Sequence, residues 1–208
     1  MSLPRFVLAS ASPARLRLLT SIDIHPVVIP SGLDETGVQE SDPLKLVNAL
    51  AFQKANAVCE MLSASLLASD PKTLVLGCDS VLSMDGAIYG KPINPKDAFN
   101  RWQQMRGRWG ELYTGHGLVQ LPAQGKPRGW IICCQVTRVQ FANVSDRQIE
   151  AYIATGEPLN CAGGFALEGK GGALVEQIIG CYTNVIGLSL PLLRQMLGEL
   201  GYNITDFW

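Results

Sequence analysis

The sequence predicts a mixed α/β protein folded as a single domain over residues 1–208, and three observations point there. Short apolar runs such as Thr73-Leu74-Val75-Leu76-Gly77-Cys78 alternate with longer segments of helical period, such as the one opening at Pro43. No linker, repeat or low-complexity tract divides the chain. A chain of 208 residues, 47% of them hydrophobic, can bury a core without disulfide or metal staples.

The elements follow in order. Arg5 to Ala9 reads as a strand and Pro13 to Ile22 as a helix, with Leu16, Leu18, Leu19 and Ile22 on its apolar side. Ser12-Pro13 is a start signal: a serine cap accepts a backbone N–H, and proline at the first helical position forfeits no hydrogen bond. His25 to Pro30 is a second strand, followed by a turn-rich loop over residues 31–37 that carries Asp34 and Glu35. Pro43 to about Leu67 is a long helix bearing Lys54, its buried face marked by Leu46, Val47 and Leu50 and extended by Ala51, Ala55 and Val58. Thr73 to Cys78 is a strand apolar enough to be buried on both faces, with Asp79 at its exit. Val81 to Tyr89 is a hairpin turning at Asp85-Gly86, and Pro95 to Met105 a helix. Leu112 to Leu121 and Trp130 to Phe141 are long strands, and Ser145 caps a helix reaching Ala154. Short strands are expected around Phe165-Ala166-Leu167 and Leu174-Val175-Glu176, and a last helix over Leu190 to Leu200.

A formal charge of -1, from 17 basic and 18 acidic residues, sets up no global field toward nucleic acid or anionic lipid. Nor does a basic-aromatic surface pattern favour nucleic acid. Every apolar run is broken well before membrane-spanning length. The opening residues show no signal-peptide core, so the expected location is the cytoplasm. Six cysteines without a Cys-x-x-Cys pair, and only two histidines, give poor support to a zinc site and read as buried free thiols.

Three groups of residues bear chemistry. In Ser10-Ala11-Ser12-Pro13-Ala14-Arg15 a strand runs into a helix start, joining free N–H groups, a positive dipole end and an arginine. That is an anion site, although serine caps also serve helices with no ligand. Glu35 and Asp79, with Asp34 as a spare acid, suit a hard divalent ion that shares its octahedron with water and phosphate, although acids are common in Gly-flanked turns. Arg15, Lys54 and Lys91 are single cations of the kind a near-neutral chain must place locally to hold a polyphosphate, and solvation alone also explains such residues. His116 reads as a structural strand histidine, since no partner acid lies near it. The chain has no Walker loop, nucleophile elbow or zincin helix, which removes the familiar kinase, esterase and metalloprotease routes.

Taken together, Leu8-Ala9-Ser10-Ala11-Ser12-Pro13 with Arg15, Asp34-Glu35, Lys54-Ala55, Gly77-Cys78-Asp79-Ser80, Gly90-Lys91-Pro92, Tyr113-Thr114-Gly115, Gly156-Glu157-Pro158, Ala162-Gly163-Gly164-Phe165 and Asn184-Val185-Ile186-Gly187-Leu188 resemble the Maf family of nucleoside triphosphate pyrophosphatases over nearly the full length. The resemblance implies a mixed twisted sheet with flanking helices and two lobes around a nucleotide cleft, similar to inosine triphosphatases. It also implies a divalent cation, Mg²⁺ or Mn²⁺, and house-cleaning hydrolysis of a nucleoside triphosphate to the monophosphate and pyrophosphate. On the matching positions, Asp79 is the proton acceptor, Glu35 and Asp79 hold the metal, and Ser10, Ser12, Arg15, Lys54, Ser80, Lys91 and Glu168 bind substrate. A homodimer is a further implication, and the family's association with septum formation offers an alternative, a nucleotide-responsive binding protein affecting cell division.

Departures from the pattern bear on the base. Relatives of the dTTP/UTP type carry Ser-Pro-Arg-Arg, Asp-Thr and a Gln in Gly-Ile-Gln-Gly, where this chain has Ala14, Ser80 and Glu168. A glutamate there offers only acceptors, suited to base N–H groups or a cationic base. Asp34-Glu35-Thr36, Cys161-Ala162-Gly163 and Glu168-Gly169 are more similar to the branch acting on 7-methyl-GTP. The expected preference is therefore 7-methyl-GTP-like or broad.

Overall fold

The computed structural model describes residues 3–34, 37, 38, 40–63, 72–121 and 128–208. Among these, the strands are β1 (Arg5–Leu8), β2 (Val27–Val28), β3 (Thr73–Met84), β4 (Ala87–Tyr89), β5 (Trp109–Leu121), β6 (Arg128–Phe141) and β7 (Val175–Ile179). The helices are α1 (Pro13–Thr20), α2 (Pro43–Ser63), α3 (Pro95–Met105), α4 (Asp146–Ile153), α5 (Tyr182–Ile186) and α6 (Leu190–Glu199). The strands form one sheet in the order β2-β1-β3-β5-β6-β7, with β4 paired to β3. Pairing of β1 with β2 and β3 is parallel, whereas β4 with β3 and β7 with β6 are antiparallel, so the sheet is mixed.

Two compact units divide the chain, Met1–Asp79 with Thr114–Gln135 and Gly187–Trp208 in the first, Ser80–Tyr113 with Val136–Ile186 in the second. In the first, α2 lies on the sheet at backbone contact. A Cβ at Gly77 of β3 would stand 2.4 Å from the Ala51 carbonyl oxygen, and one at Gly115 of β5 would stand 2.2 Å from that of Val47. Gly117, two residues further along β5, would meet Ala51 oxygen at 3.0 Å. Glycine on one face of neighbouring strands is what allows a helix backbone to come so near. The core beside it is built from Val7, Ala55, Val58, Val75 and Val119, with Trp130 packed at its edge.

The second unit is organised around Trp102, which is fully buried. Its ring meets Phe141 and Tyr152 edge-on, each at 5.6 Å, and Phe141 meets Phe165 at 5.0 Å. Such edge-to-face contacts add to the area buried. Helix α4 starts on a full capping box, with Ser145 and Gln148 each bonded to the other's backbone.

Several expectations are corrected by these elements. Strand β3 does not stop at Cys78. It pairs with β1 as far as Leu76 and with β4 from Leu82 to Met84, so Asp79 lies within a continuous strand and not at its exit. Phe165-Ala166-Leu167 is not a strand either: the backbone enters it through Gly163 and Gly164 at φ of 69° and 71°, and the Ala166 N–H bonds the Tyr152 hydroxyl in place of a neighbouring strand. The strand expected at residues 174–176 begins at Val175 and runs to Ile179. Helix α1 ends at Thr20, two residues early, β2 is confined to Val27–Val28, and β5 begins at Trp109. Helix α5 has no counterpart in the sequence reading. The expected end of α2 at Leu67 and the site residue Glu35 lie outside the described residues. The turn at Asp85-Gly86 has both residues at positive φ, 50° and 79°, as a tight primed hairpin turn needs.

Candidate active site

Gly77, Asp79 and the face of α2 define the first cluster. Side chains alternate along a strand, so the position that faces α2 at Gly77 is repeated at Asp79. On the helix, Lys54 is three residues beyond Ala51, the residue that touches Gly77, and so occupies the same face. Lys54 Nζ donates to Asp79 Oδ1 at 2.6 Å, and the two side chains retain 11% and 10% of their exposure. A lysine in the otherwise apolar buried face of α2, beside Val47, Ala51 and Val58, is tolerated because it is paired.

The end of β1 supplies the next part. Ala9 N–H bonds Leu76 oxygen at 2.8 Å, continuing the parallel ladder to the point where the chain leaves for α1. Ser12 Oγ caps α1 by accepting the Arg15 N–H at 3.4 Å. Ser10 Oγ accepts the Ser12 N–H at 3.2 Å and Arg15 Nη1 at 3.1 Å, and Arg15 Nε donates to Gly187 oxygen at 2.8 Å. Arginine and both hydroxyls are thus held in one corner at a helix start, where the dipole favours an anion.

The Cys78 thiol ties that corner to the pair. Burial pushes its pKa up to about 11, Arg15 and Lys54 pull it down, and Asp79 pushes it up again, so all three charges lie within reach of one sulfur. Five of the residues expected to bind substrate or act in catalysis, Ser10, Ser12, Arg15, Lys54 and Asp79, therefore lie in the first unit.

His116, also in this unit, is fully buried, and its Nε2 accepts the Ser189 N–H at 2.9 Å. Burial, and then the charge of Arg15, lower its pKa to about 4. It is a neutral strut that holds the start of α6 beside the Gly187 carbonyl on Arg15, in keeping with a structural strand histidine.

The second unit holds Ser80, Lys91 and Glu168. Ser80 is partly exposed and follows Asp79 in β3, so strand alternation sets it on the other face. Lys91 and Glu168 are exposed, and both act on the Cys161 thiol: burial raises its pKa to about 11, Glu168 and Glu157 add to the rise, and Lys91 opposes it. Gly163 N–H bonds Gly90 oxygen at 3.1 Å, Arg101 Nη1 bonds the same oxygen at 2.8 Å, and Trp102 Nε1 bonds Gly164 oxygen at 2.9 Å. The Gly90-Lys91-Pro92 and Ala162-Gly163-Gly164 segments are thereby fastened to one another. Glycine is required at Gly163, where φ is positive and a Cβ would lie 2.8 Å from that of Leu82.

Glu157 was given no role by sequence reasoning, yet its carboxylate binds three groups of this unit. Its carboxylate accepts the Tyr152 hydroxyl at 2.7 Å, Gly171 N–H at 2.9 Å and Lys170 N–H at 3.1 Å. Burial opposes its charge, but the bonds from Gly171, Tyr152 and Lys170 overcome this and hold the carboxyl below its ordinary range. The available signal was its place between Gly156 and Pro158. Another was the Gly169 to Gly172 cluster that it holds, which carries no dinucleotide fingerprint.

A mixed α/β fold here holds a paired lysine and aspartate in the same unit as a serine-capped arginine corner, a set of charges suited to an anion. The chain belongs to the Maf family: the family model for Maf-like proteins matches residues 5–200. It is 55% identical over 208 residues to a protein of Trichormus variabilis named nucleoside triphosphate pyrophosphatase, with the whole of both chains covered. A protein of the same name from Nostoc punctiforme is 54% identical, again over the whole of both chains. One from Cyanothece sp. strain PCC 7425 is 56% identical over 204 residues, 98% of this chain and 99% of its own. A solved nucleoside-triphosphatase / dITP/XTP pyrophosphatase from Mycobacterium abscessus is a distant likeness, 14% identical with a TM-score of 0.36 over 67% of this chain and 75% of its own, and carries no weight for the site.

Proposed function

We propose that the chain is a divalent-metal-dependent nucleoside triphosphate pyrophosphatase with a house-cleaning role. The observation that carries this reading is the Lys54–Asp79 pair, 2.6 Å apart and nearly withdrawn from solvent, in the unit that also holds the Ser10–Arg15 corner. The shared name of relatives 54% to 56% identical over essentially the whole chain supports it.

The reaction consumes one water. Its oxygen bonds to phosphorus, the bridge between the α and β phosphates breaks, and nucleoside monophosphate and pyrophosphate leave. Asp79 receives the proton that water gives up, and Lys54 steadies the carboxylate before that transfer. Arg15, with Ser10 and Ser12, takes the charge of the triphosphate at the start of α1. Lys91 neutralises phosphate charge, and Ser80 contributes a hydroxyl. Glu168 reads the base: with acceptors only, it suits base N–H groups or a cationic purine such as 7-methylguanine.

A hard divalent ion fits the donor set in kind, because Asp79 is an oxygen donor held in place by a cation beside it and such an ion takes one or two protein carboxylates. Asp79 and Glu35 would hold it. Once bound, it would draw charge from the phosphate oxygens as a Lewis acid.

The test is pyrophosphate release with Mg²⁺ or Mn²⁺ across canonical, deoxy and methylated triphosphates, 7-methyl-GTP included. Turnover of at least one nucleotide, lost on chelation, is expected. Tight nucleotide binding with no turnover of any member would overturn the reading.

A further inference from the structure

We propose that Glu157 is a positioning residue for base recognition: its carboxylate clamps the backbone of Lys170 and Gly171 and so fixes where Glu168 stands. The inference rests on the reading of Glu168 given above and adds a residue that no part of that reading uses.

The geometry is a two-sided anchor around a short stretch of chain. Before Glu168, Ala166 N–H bonds the Tyr152 hydroxyl at 3.0 Å. After it, Lys170 N–H reaches Glu157 Oε2 at 3.1 Å and Gly171 N–H reaches Oε1 at 2.9 Å. The anchors are joined, because the Tyr152 hydroxyl donates to the same Oε1 at 2.7 Å. Only residues 167–169 lie between them, and Gly169 N–H bonds back to Ala166 oxygen at 3.3 Å.

The fit admits little change. A Cβ at Gly169 would stand 2.4 Å from Glu157 Oε2, and one at Gly171 would stand 2.4 Å from the Tyr152 hydroxyl oxygen. Every partner of Glu157 in this set is a donor, so the position requires a carboxylate. The amide of a glutamine would set its NH₂ against one of those donors. Glu157 also shares the surroundings of the Cys161 thiol with Glu168 and Lys91, which keeps the clamp beside the residues it would order.

The test compares wild type with Glu157→Gln and Gly169→Ala, the second intruding on the clamp while leaving the carboxylate in place. KM and kcat are measured across the nucleotide panel, together with inhibition by inorganic tripolyphosphate, which has no base. Loss of a charge-assisted bond predicts a KM raised about tenfold for the preferred nucleotide and a comparable narrowing of base preference. With base placement alone disturbed, kcat stays within about twofold and the tripolyphosphate inhibition constant is unchanged. Glu157→Asp, which keeps both acceptor oxygens, restores part of the preference. If the folded variants keep wild-type KM and preference, or lose kcat equally on every nucleotide with KM unmoved, the proposal is overturned. Should Glu157→Gln fail to fold, Gly169→Ala carries the same comparison. Absence of turnover by wild type is a separate result that strikes the pyrophosphatase reading.

Discussion

Gly77 touches Ala51 of α2 and Asp79 touches Lys54 of the same helix, so a glycine and an acid two residues apart on β3 together set the lysine against its partner. The close approach at Gly77 is what makes a 2.6 Å ion pair possible between residues 25 apart in sequence.

Asp79→Asn keeps an oxygen acceptor for Lys54 and removes the proton acceptor. Turnover is expected to fall at least about 100-fold, and because the neutral amide leaves the buried Lys54 ammonium without its counter-charge, stability falls by about 1–3 kcal/mol. Lys54→Met instead strands a buried carboxylate, with a cost of about 3–5 kcal/mol in stability and loss of turnover. Thermal melts alongside pyrophosphate release measure both effects, and melting temperatures unchanged in both variants would contradict the pairing.

Gly77→Ala and Gly115→Ala drive a methyl group into the backbone of α2, at 2.4 Å and 2.2 Å from carbonyl oxygens. Each is expected to cost about 3 kcal/mol or more and to reduce activity as the helix moves away from the sheet. Gly198→Ala is the control: no atom lies within 4 Å of its Cβ, and it sits in α6, so stability is unchanged or slightly raised. Urea unfolding midpoints measure all three.

His116 makes the fold acid-sensitive. Its pKa falls from an ordinary 6.5 to about 4 on folding, through burial and then the Arg15 charge. The unfolded chain binds the proton more readily, so this contribution is complete above pH 6.5 and is lost as pH falls toward 4. The loss is on the order of 3 kcal/mol. His116→Gln, which can still accept the Ser189 N–H, flattens that slope in pH-dependent unfolding.

Glu168→Gln gives the residue proposed to read the base an amide donor, which the base carbonyls of dTTP and UTP can accept. Relative kcat/KM is expected to move toward those pyrimidines and away from 7-methyl-GTP by about tenfold. An unchanged ranking would separate Glu168 from base choice.

Much of the architecture was legible because its signals are local. Ser12-Pro13, Ser145 and Pro95 mark helix starts where the caps occur, and Asp85-Gly86 marks the hairpin. What the sequence obscured depends on distant partners. Lys54 looks like a surface lysine until Asp79 is brought beneath it, and β3 outlasts its apolar run because β4 folds back to pair with it. Phe165 is apolar through its contact with Phe141 and not through a strand. Glu157, the centre of the loop clamp, binds groups 13 and 14 residues away, and no short motif predicts them.

Product identity tests the central claim most directly. Purified protein is given a hydrolysable triphosphate with a divalent cation, and every phosphorus product is resolved by chromatography. Nucleoside monophosphate and pyrophosphate in equal amounts are predicted, and both should disappear in Asp79→Asn. Nucleoside diphosphate with orthophosphate, or an undiminished yield from Asp79→Asn, would contradict the account.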